Sequence, residues 1–291
     1  MHLRFWGTRG SCPSPGPSTN RYGGNTTCVE VRTDDDSLLI FDAGTGIRDL
    51  GRSLIQGANG AAIRGEVFFS HAHWDHIQGL PFFTPAFQHG NDFTLWGSPS
   101  LFASLEVILR QQMSPVVFPV AFDSLRARLE VRALEGHRRV GNGYDVRTID
   151  VRHPGGALGF RVSVDQQPSR SFVFIPDNEL DPSFDDHEGV ARVASRDALI
   201  DFARGARVLI HDAMYTGSEY MAHRGWGHSS YRDAIEFALA AEVETLVLFH
   251  HEPDRDDAAL DEMLQLCHEM VTERGGMLEV IAAAEGSEIG L

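Results

Sequence analysis

Residues 70–76 read SHAHWDH, and positions 71–76 hold three histidines and an aspartate: His71, His73, Asp75 and His76. The apolar run EVFFS (66–70) reads as a buried strand that delivers the chain directly into this cluster. A tight loop after that strand can turn all four side chains inward. Neutral imidazole and carboxylate are good donors to zinc and other first-row divalent ions. Four such groups in so short a segment exceed what one ion sharing its ligands with the rest of a fold requires. Two ions about 3.5 Å apart would use them all. Clustering these groups without a metal would be costly.

Further candidate ligands follow other strand-like runs, where a scaffold presents functional groups rigidly. His153 follows YDVRTIDVR, Asp177 ends RSFVFIP, and His250 ends TLVLF. Taken singly, His153 and His250 read as ordinary buried polar residues. With the cluster they complete two shells: His71, His73 and His153 for one ion, Asp75, His76 and His250 for the other, and Asp177 bridging both. His251 follows His250 on a strand and points to the opposite face.

The chain has 291 residues, 42% of them apolar, which suits one globular domain over residues 1–291. No apolar run approaches the roughly 20 residues that span a bilayer. MHLRFWGTRG enters a strand-like run with no apolar leader, so a soluble, cytoplasmic protein is expected. The three cysteines, Cys12, Cys28 and Cys267, form no C-x-x-C pair and read as buried apolar fillers rather than a disulfide framework. The net charge of −16 disfavours a grip on long nucleic acid, because phosphate binding needs a basic field.

Strand-like runs continue as LRFWG, TCVEVRT, LLIFDAG, FTLWG, RLEVRAL, LGFRVSV and RVLIHDA, with MLEVIAA closing the chain. Helical spacing marks SLFASLEVILRQQM, residues 195–205, SSYRDAIEFALAAE and DDAALDEMLQLCHEMVTERG. Two sheets packed face to face with helices outside use this order economically. Other mixed α/β arrangements fit the same periodicity.

HAHWDH matches the H-x-H-x-D-H signature of the metallo-β-lactamase superfamily, and His153, Asp177 and His250 follow in the order of its later motifs. The resemblance implies an αββα sandwich of two mixed β-sheets flanked by helices, with a dinuclear site between the sheets. Zinc is favoured, with manganese or iron compatible. FDAGTG (41–46) resembles the strand-turn before the signature, where an aspartate supports a metal-bound histidine; Asp42 takes that place. FWGTRGSCPSPG (5–16), RYGGNTTCVEV (21–31), IPDNE (175–179) and GHSS (227–230) are similar to motifs of the ribonuclease Z-like branch, including its small members that hydrolyse cyclic nucleotides. Two departures stand out. No arm-like segment for clamping tRNA separates His153 from Asp177, and the later ELDPSFDDHE is acidic. HDAMY (211–215) places Asp212 where the branch often has glutamate.

The resemblance implies hydrolysis of a small phosphodiester, such as a cyclic nucleotide, by a metal-bridging hydroxide. Asp75 ligates one ion and accepts the water's proton. His228 contacts phosphate or protonates the leaving oxygen, held by Asp212; its structural alternative is a helix-entry residue. Lactone or thioester hydrolysis at the same metals, or a non-hydrolytic metal-binding sensor, are the competing readings. Arg21, Tyr22 and Asn25 either touch substrate or fix the glycine loop. Trp74 either stacks on a base at the pocket rim or anchors its loop. His211, beside Asp212, stays ambiguous. His2, His89, His137, His187, His223 and His268 read as surface or structural, although HRGWGH around His223 could line a pocket. A homodimer follows by analogy with the branch.

Overall fold

The computed structural model describes residues 1–164, 170–180 and 193–291. The chain opens with β1 (His2–Gly7), β2 (Cys28–Arg32), β3 (Leu38–Phe41), β4 (Arg64–Phe68), β5 (Asp92–Gly97) and β6 (Arg128–Ala133). A second group comprises β7 (Arg138–Gly141), β8 (Tyr144–Val151), β9 (Ala157–Ser163), β10 (Ser171–Ile175), β11 (Val208–Asp212), β12 (Thr245–Phe249) and β13 (Glu279–Ala282). A short β14 (Glu288–Gly290) returns to pair antiparallel with β1. The two seven-stranded sheets run β14-β1-β2-β3-β4-β5-β6 and β13-β12-β11-β10-β9-β8-β7. Both are mixed: β3 to β6 run parallel, as do β10 to β13, and the remaining pairings are antiparallel. The expected αββα sandwich is present.

Strand alternation explains the layering. In β3, Leu39 and Phe41 face the inter-sheet core, while Leu38 and Ile40 face the opposite way. In β12, Val247 and Phe249 face inward and Leu246 and Leu248 face outward. Strands buried on both faces read as continuous apolar runs. Phe41 sits at the centre, with Phe68, Phe160, Phe172 and Phe174 ring centroids 5.2–5.8 Å away. Helices α1 (Ile47–Ala58) and α3 (Pro99–Gln112) cover the first sheet; between them in sequence lies α2 (Trp74–Ile77). Helices α4 (Arg196–Ala203), α6 (Tyr231–Ala240) and α7 (Asp257–Glu273) cover the second, and α5 (Gly217–His223) precedes α6. No helix among the described residues is long and apolar enough to cross a membrane.

The sequence reading needs several corrections. It passes over α1, whose Gly51 and Gly57 weaken the helical signal. Gly51 is needed because a Cβ there would lie 2.9 Å from Pro85 Cδ. It also passes over α5, announced only by the Thr216/Glu219 capping box, and over β7, which pairs with β8 across a two-residue turn. MLEVIAA is not the last strand, because β14 follows. The segment after β4 is not all loop: Trp74–Ile77 forms one helical turn. Cys28 and Cys267 are buried as expected, but Cys12 is exposed. His187 and most of ELDPSFDDHE lie outside the described residues.

Candidate metal centre

The chain direction of six strands assembles the site. In open sheets, ligand sites form at the carboxyl ends of strands. Asp42 follows β3, Ser70 and His71 follow β4, His153 follows β8, Asp177 follows β10, Asp212 ends β11, and His250 follows β12. Asp42 and His250 leave their strands at φ 60° and 58°, a left-handed turn that Asp and His tolerate better than most residues. The α2 turn then brings Asp75 and His76 back toward His71. Gly44 lets the neighbouring loop close against this turn: a Cβ there would lie 2.3 Å from the Asp75 carbonyl oxygen.

The donor atoms of His71, His73 and His153 all lie within 4.8 Å of one another, as do those of Asp75, His76, Asp177 and His250. Asp177 links the sets. Its Oδ1 is 3.1 Å from His76 Nε2 and 3.3 Å from His250 Nε2, and its Oδ2 is 3.6 Å from His71 Nε2 and 3.5 Å from His153 Nε2. Asp75 Oδ2 lies 3.2 Å from His76 Nε2 and 3.1 Å from His250 Nε2, and accepts the Ser11 backbone N–H at 2.8 Å.

Hydrogen bonds on the far side of the rings orient them. His76 Nδ1 lies 2.8 Å from Asp42 Oδ2, so its proton sits there and Nε2 faces the site. Asp42 is held in turn by the Ser70 N–H and hydroxyl, both at 2.8 Å. His153 Nδ1 donates to the Gly227 carbonyl at 2.9 Å, which aims Nε2 inward. His71 Nδ1 lies 3.0 Å from Ser70 Oγ.

These residues fit divalent ions. His71 Nε2, His76 Nε2 and Asp177 Oδ1 are buried with no hydrogen-bond partner, an arrangement native proteins rarely keep without an ion or water. His73 Nδ1 and His153 Nε2 face each other at 2.9 Å, a spacing that asks for a shared proton or cation. Electrostatics agree. Burial first, aided by neighbouring imidazoles, holds His71 and His73 below the usual range and His153 down at about 4, so all three present lone pairs. Burial opposes charge at His76 too, but Asp177, Asp75 and Asp42 outweigh it and raise that imidazole. Burial likewise disfavours the Asp177 charge, but His250, His76, His71 and His153 together hold its carboxyl well below the ordinary carboxylate range. The pocket draws in positive charge. Its donors are all nitrogen and oxygen, which suits zinc, manganese and iron alike.

His228 sits beside this cluster. Its Nδ1 lies 2.7 Å from Asp212 Oδ2, and its ring stacks on His250 at 4.9 Å. Burial works against its charged form, but the Asp212 carboxylate outweighs it and lifts the imidazole to about 9. Asp212 is fixed by the N–H groups of Met214 at 3.0 Å and Asn178 at 3.3 Å. His251 points away, to the Ala283 carbonyl at 2.8 Å, and His211 is engaged by the Asp212 carbonyl and Asn178. Of the two readings of the glycine loop, the structural one describes its contacts. Arg21 and Tyr22 bond Asp261 on α7, and Asn25 Nδ2 donates to Glu285 at 3.0 Å. Trp74 is 79% exposed and so does not anchor its loop. Ser70, Ser11, Asn178 and Glu179 contribute to the site without having been singled out from sequence. Each lies inside a motif-bearing stretch, Ser11 in FWGTRGSCPSPG, Ser70 in SHAHWDH, and Asn178 and Glu179 in IPDNE, but no single role pointed to it.

Asp42→Asn tests the orienting role. Asparagine tolerates the left-handed backbone at this position, but it cannot hold the His76 Nδ1 proton as a carboxylate does. Metal affinity, measured by competition with a chelator, is expected to fall about 10–100-fold. Unchanged affinity would show that His76 is aligned by its packing alone.

The fold and this cluster define a class of protein. The chain belongs to the metallo-β-lactamase superfamily: the family model for the beta-lactamase superfamily domain matches residues 38–251. This is a family of metal-dependent hydrolases whose fold binds divalent ions. Among similar proteins, the ribonuclease Z of Thermoplasma acidophilum is 27% identical, with 89% of each chain covered. The ribonuclease Z of Myxococcus xanthus is 25% identical, with 86% of each covered. Among solved structures, the short form of human tRNase Z superposes with a TM-score of 0.63 at 19% identity, covering 100% of this chain and 99% of that one. Unliganded yeast PDE1 superposes with a TM-score of 0.69 at 16% identity, covering 100% and 99%. At these identities the structural likeness speaks for the fold.

Proposed function

We propose that this protein is a dinuclear phosphodiesterase that hydrolyses a small phosphodiester, with cyclic nucleotides the favoured class. The observation that carries the reading is one constellation: two sets of donors sharing Asp177, with the His228–Asp212 pair beside them. His71, His73 and His153 would hold one ion, Asp75, His76 and His250 the other, and Asp177 both, with zinc the favoured metal. When bound, such a pair supplies Lewis acidity, lowering the pKa of water and neutralising charge on the phosphate.

The chain's own residues do the rest. Asp75, fixed by the Ser11 N–H, is placed to accept a proton from attacking water. Asp212 holds the Nδ1 proton of His228 and fixes the ring, which leaves Nε2 to protonate the departing oxygen. The relatives named ribonuclease Z cleave RNA, itself a phosphodiester, which supports the reaction class. The net charge of −16 favours a small substrate over a long polyanion.

The test is hydrolysis of bis-p-nitrophenyl phosphate beside a panel of cyclic nucleotides and a tRNA precursor, with metal content assayed on the same sample. Turnover of the small diesters above that of the tRNA precursor is expected. A folded, metal-loaded protein inactive on all of them would overturn the reading and favour a lactone or thioester substrate, or a metal-binding sensor. Preference for the tRNA precursor would keep the chemistry and overturn the substrate class.

A further inference from the structure

The segment Arg224-Gly225-Trp226-Gly227 joins α5 to His228; its Gly227 carbonyl orients His153, but that role does not account for the exposed ring of Trp226. Trp226 is 61% exposed, yet the backbone around it is tightly held. Glu179, itself buried, accepts the Gly225 N–H at 2.7 Å and the Gly227 N–H at 2.9 Å, one on each side of the tryptophan. The same carboxylate accepts the Tyr220 hydroxyl at 2.8 Å. The Trp226 N–H bonds the His223 carbonyl at 3.0 Å, and the Gly227 carbonyl receives His153 Nδ1 at 2.9 Å. Gly227 has φ +87°, and a Cβ there would lie 2.4 Å from His153 Nδ1. The loop therefore lies close against a candidate metal ligand and is held there by Glu179. Exposing a large aromatic ring on so constrained a backbone gains nothing for the fold.

The ring also ends a continuous aromatic path. The His228 ring meets Tyr215 at 6.1 Å, Tyr215 stacks on His223 at 4.8 Å with an interplanar angle of 12°, and the His223 and Trp226 rings meet nearly at right angles at 4.8 Å. Tyr215 is buried, His223 half-buried and Trp226 exposed, so the wall rises from the proton donor to the solvent rim. A nucleotidyl phosphodiester has matching anatomy: a charged reacting phosphate joined through a sugar to a flat aromatic base. Base–aromatic stacking tolerates any base, because each has a π-face. A preorganised ring stacks at little cost in side-chain entropy.

From this we infer that Trp226 is the platform on which the base of the substrate stacks, with Glu179 as the positioning residue that holds it. The inference rests on the phosphodiesterase reading and adds to it the residue that receives the base. It makes base recognition a property of HRGWGH, a stretch whose alternatives from sequence were structural filler and pocket lining.

The test uses the metal-loaded full chain and two diesters with a common leaving group, thymidine 5′-p-nitrophenyl phosphate and methyl p-nitrophenyl phosphate. Trp226→Ala is expected to lower the ratio of kcat/KM for the first over the second by roughly ten-fold or more, mainly through KM. Trp226→Phe should restore most of the ratio. In parallel, adenosine 5′-monophosphate should quench tryptophan fluorescence saturably where ribose 5-phosphate does not, and Trp226→Ala should abolish the difference. An oligoadenylate in the same titration separates the two sources of a base. Binding no tighter than the mononucleotide assigns the platform to a small nucleotide, and tighter Trp226-dependent binding assigns it to an RNA end. An unchanged ratio with quenching retained in Trp226→Ala overturns the inference and leaves the phosphodiesterase reading intact. If wild-type protein turns over neither diester, that reading fails and the titration alone decides the stack: Trp226-dependent quenching sustains it, and its absence overturns it.

Discussion

Asp177→Ala is expected to abolish phosphodiester turnover and to lower bound metal below two ions per chain. Asp177 is the residue whose two oxygens face both donor sets, with four imidazole nitrogens between 3.1 and 3.6 Å away. Removing it leaves His71, His76, His153 and His250 without the negative charge that unites them. Breaking a buried charged constellation by removing one member is far more disruptive than its surface equivalent. The measurement is metal content by mass spectrometry beside turnover of bis-p-nitrophenyl phosphate. Two ions retained with turnover intact would contradict the shared-ligand assignment.

The second large effect is expected at His228. His228→Ala should lower turnover of a cyclic nucleotide by about 10²–10⁴-fold, the usual contribution of a positioned proton donor. Its effect should depend on the leaving group. A ribose alkoxide needs a proton to depart, whereas p-nitrophenolate does not, so bis-p-nitrophenyl phosphate should suffer much less. Asp212→Asn should show the same pattern in weaker form, because it disturbs the ring only through the 2.7 Å bond to Nδ1. A merely structural histidine would slow both substrates equally. His153, Asp177 and His228 also lie close enough to hold an ion between them. Loss of metal in His228→Ala would therefore make it a ligand and contradict the acid role.

Those two residues also show what was legible in the sequence. The cluster at 71–76 announced itself because metal donors at such density have few other uses. Asp177, His153 and His250 could be found because each follows an apolar run, and strands that run the same way deliver their ends to one edge. Asp42 and Asp212 were reached only through the resemblance of FDAGTG and HDAMY to family motifs. What stayed hidden has physical causes. Ser11 acts through its backbone N–H, which every residue except proline carries. Ser70 works by touching Asp42, 28 residues away in sequence. Helix α1 carries two glycines that its propensity opposes, and its packing requires the one at Gly51. Strand β14 is only three residues long and exists through its pairing with β1, a contact between the two ends of the chain. From sequence, Trp74 reads as a base-stacking or loop-anchoring ring, and Trp226 only as part of HRGWGH, a stretch that could line a pocket. The two Glu179 bonds that flank Trp226 come from a residue 46 and 48 positions away, so they are visible only in the fold.

Seven side chains from four strand ends and one helical turn are proposed to hold two ions. Crystals grown from zinc-loaded protein, with anomalous diffraction collected on both sides of the zinc edge, test it most directly. Two anomalous peaks are expected. One should lie among His71, His73 and His153, the other among Asp75, His76 and His250, with Asp177 touching both. A single peak, or peaks at other residues with this cluster empty, would contradict it.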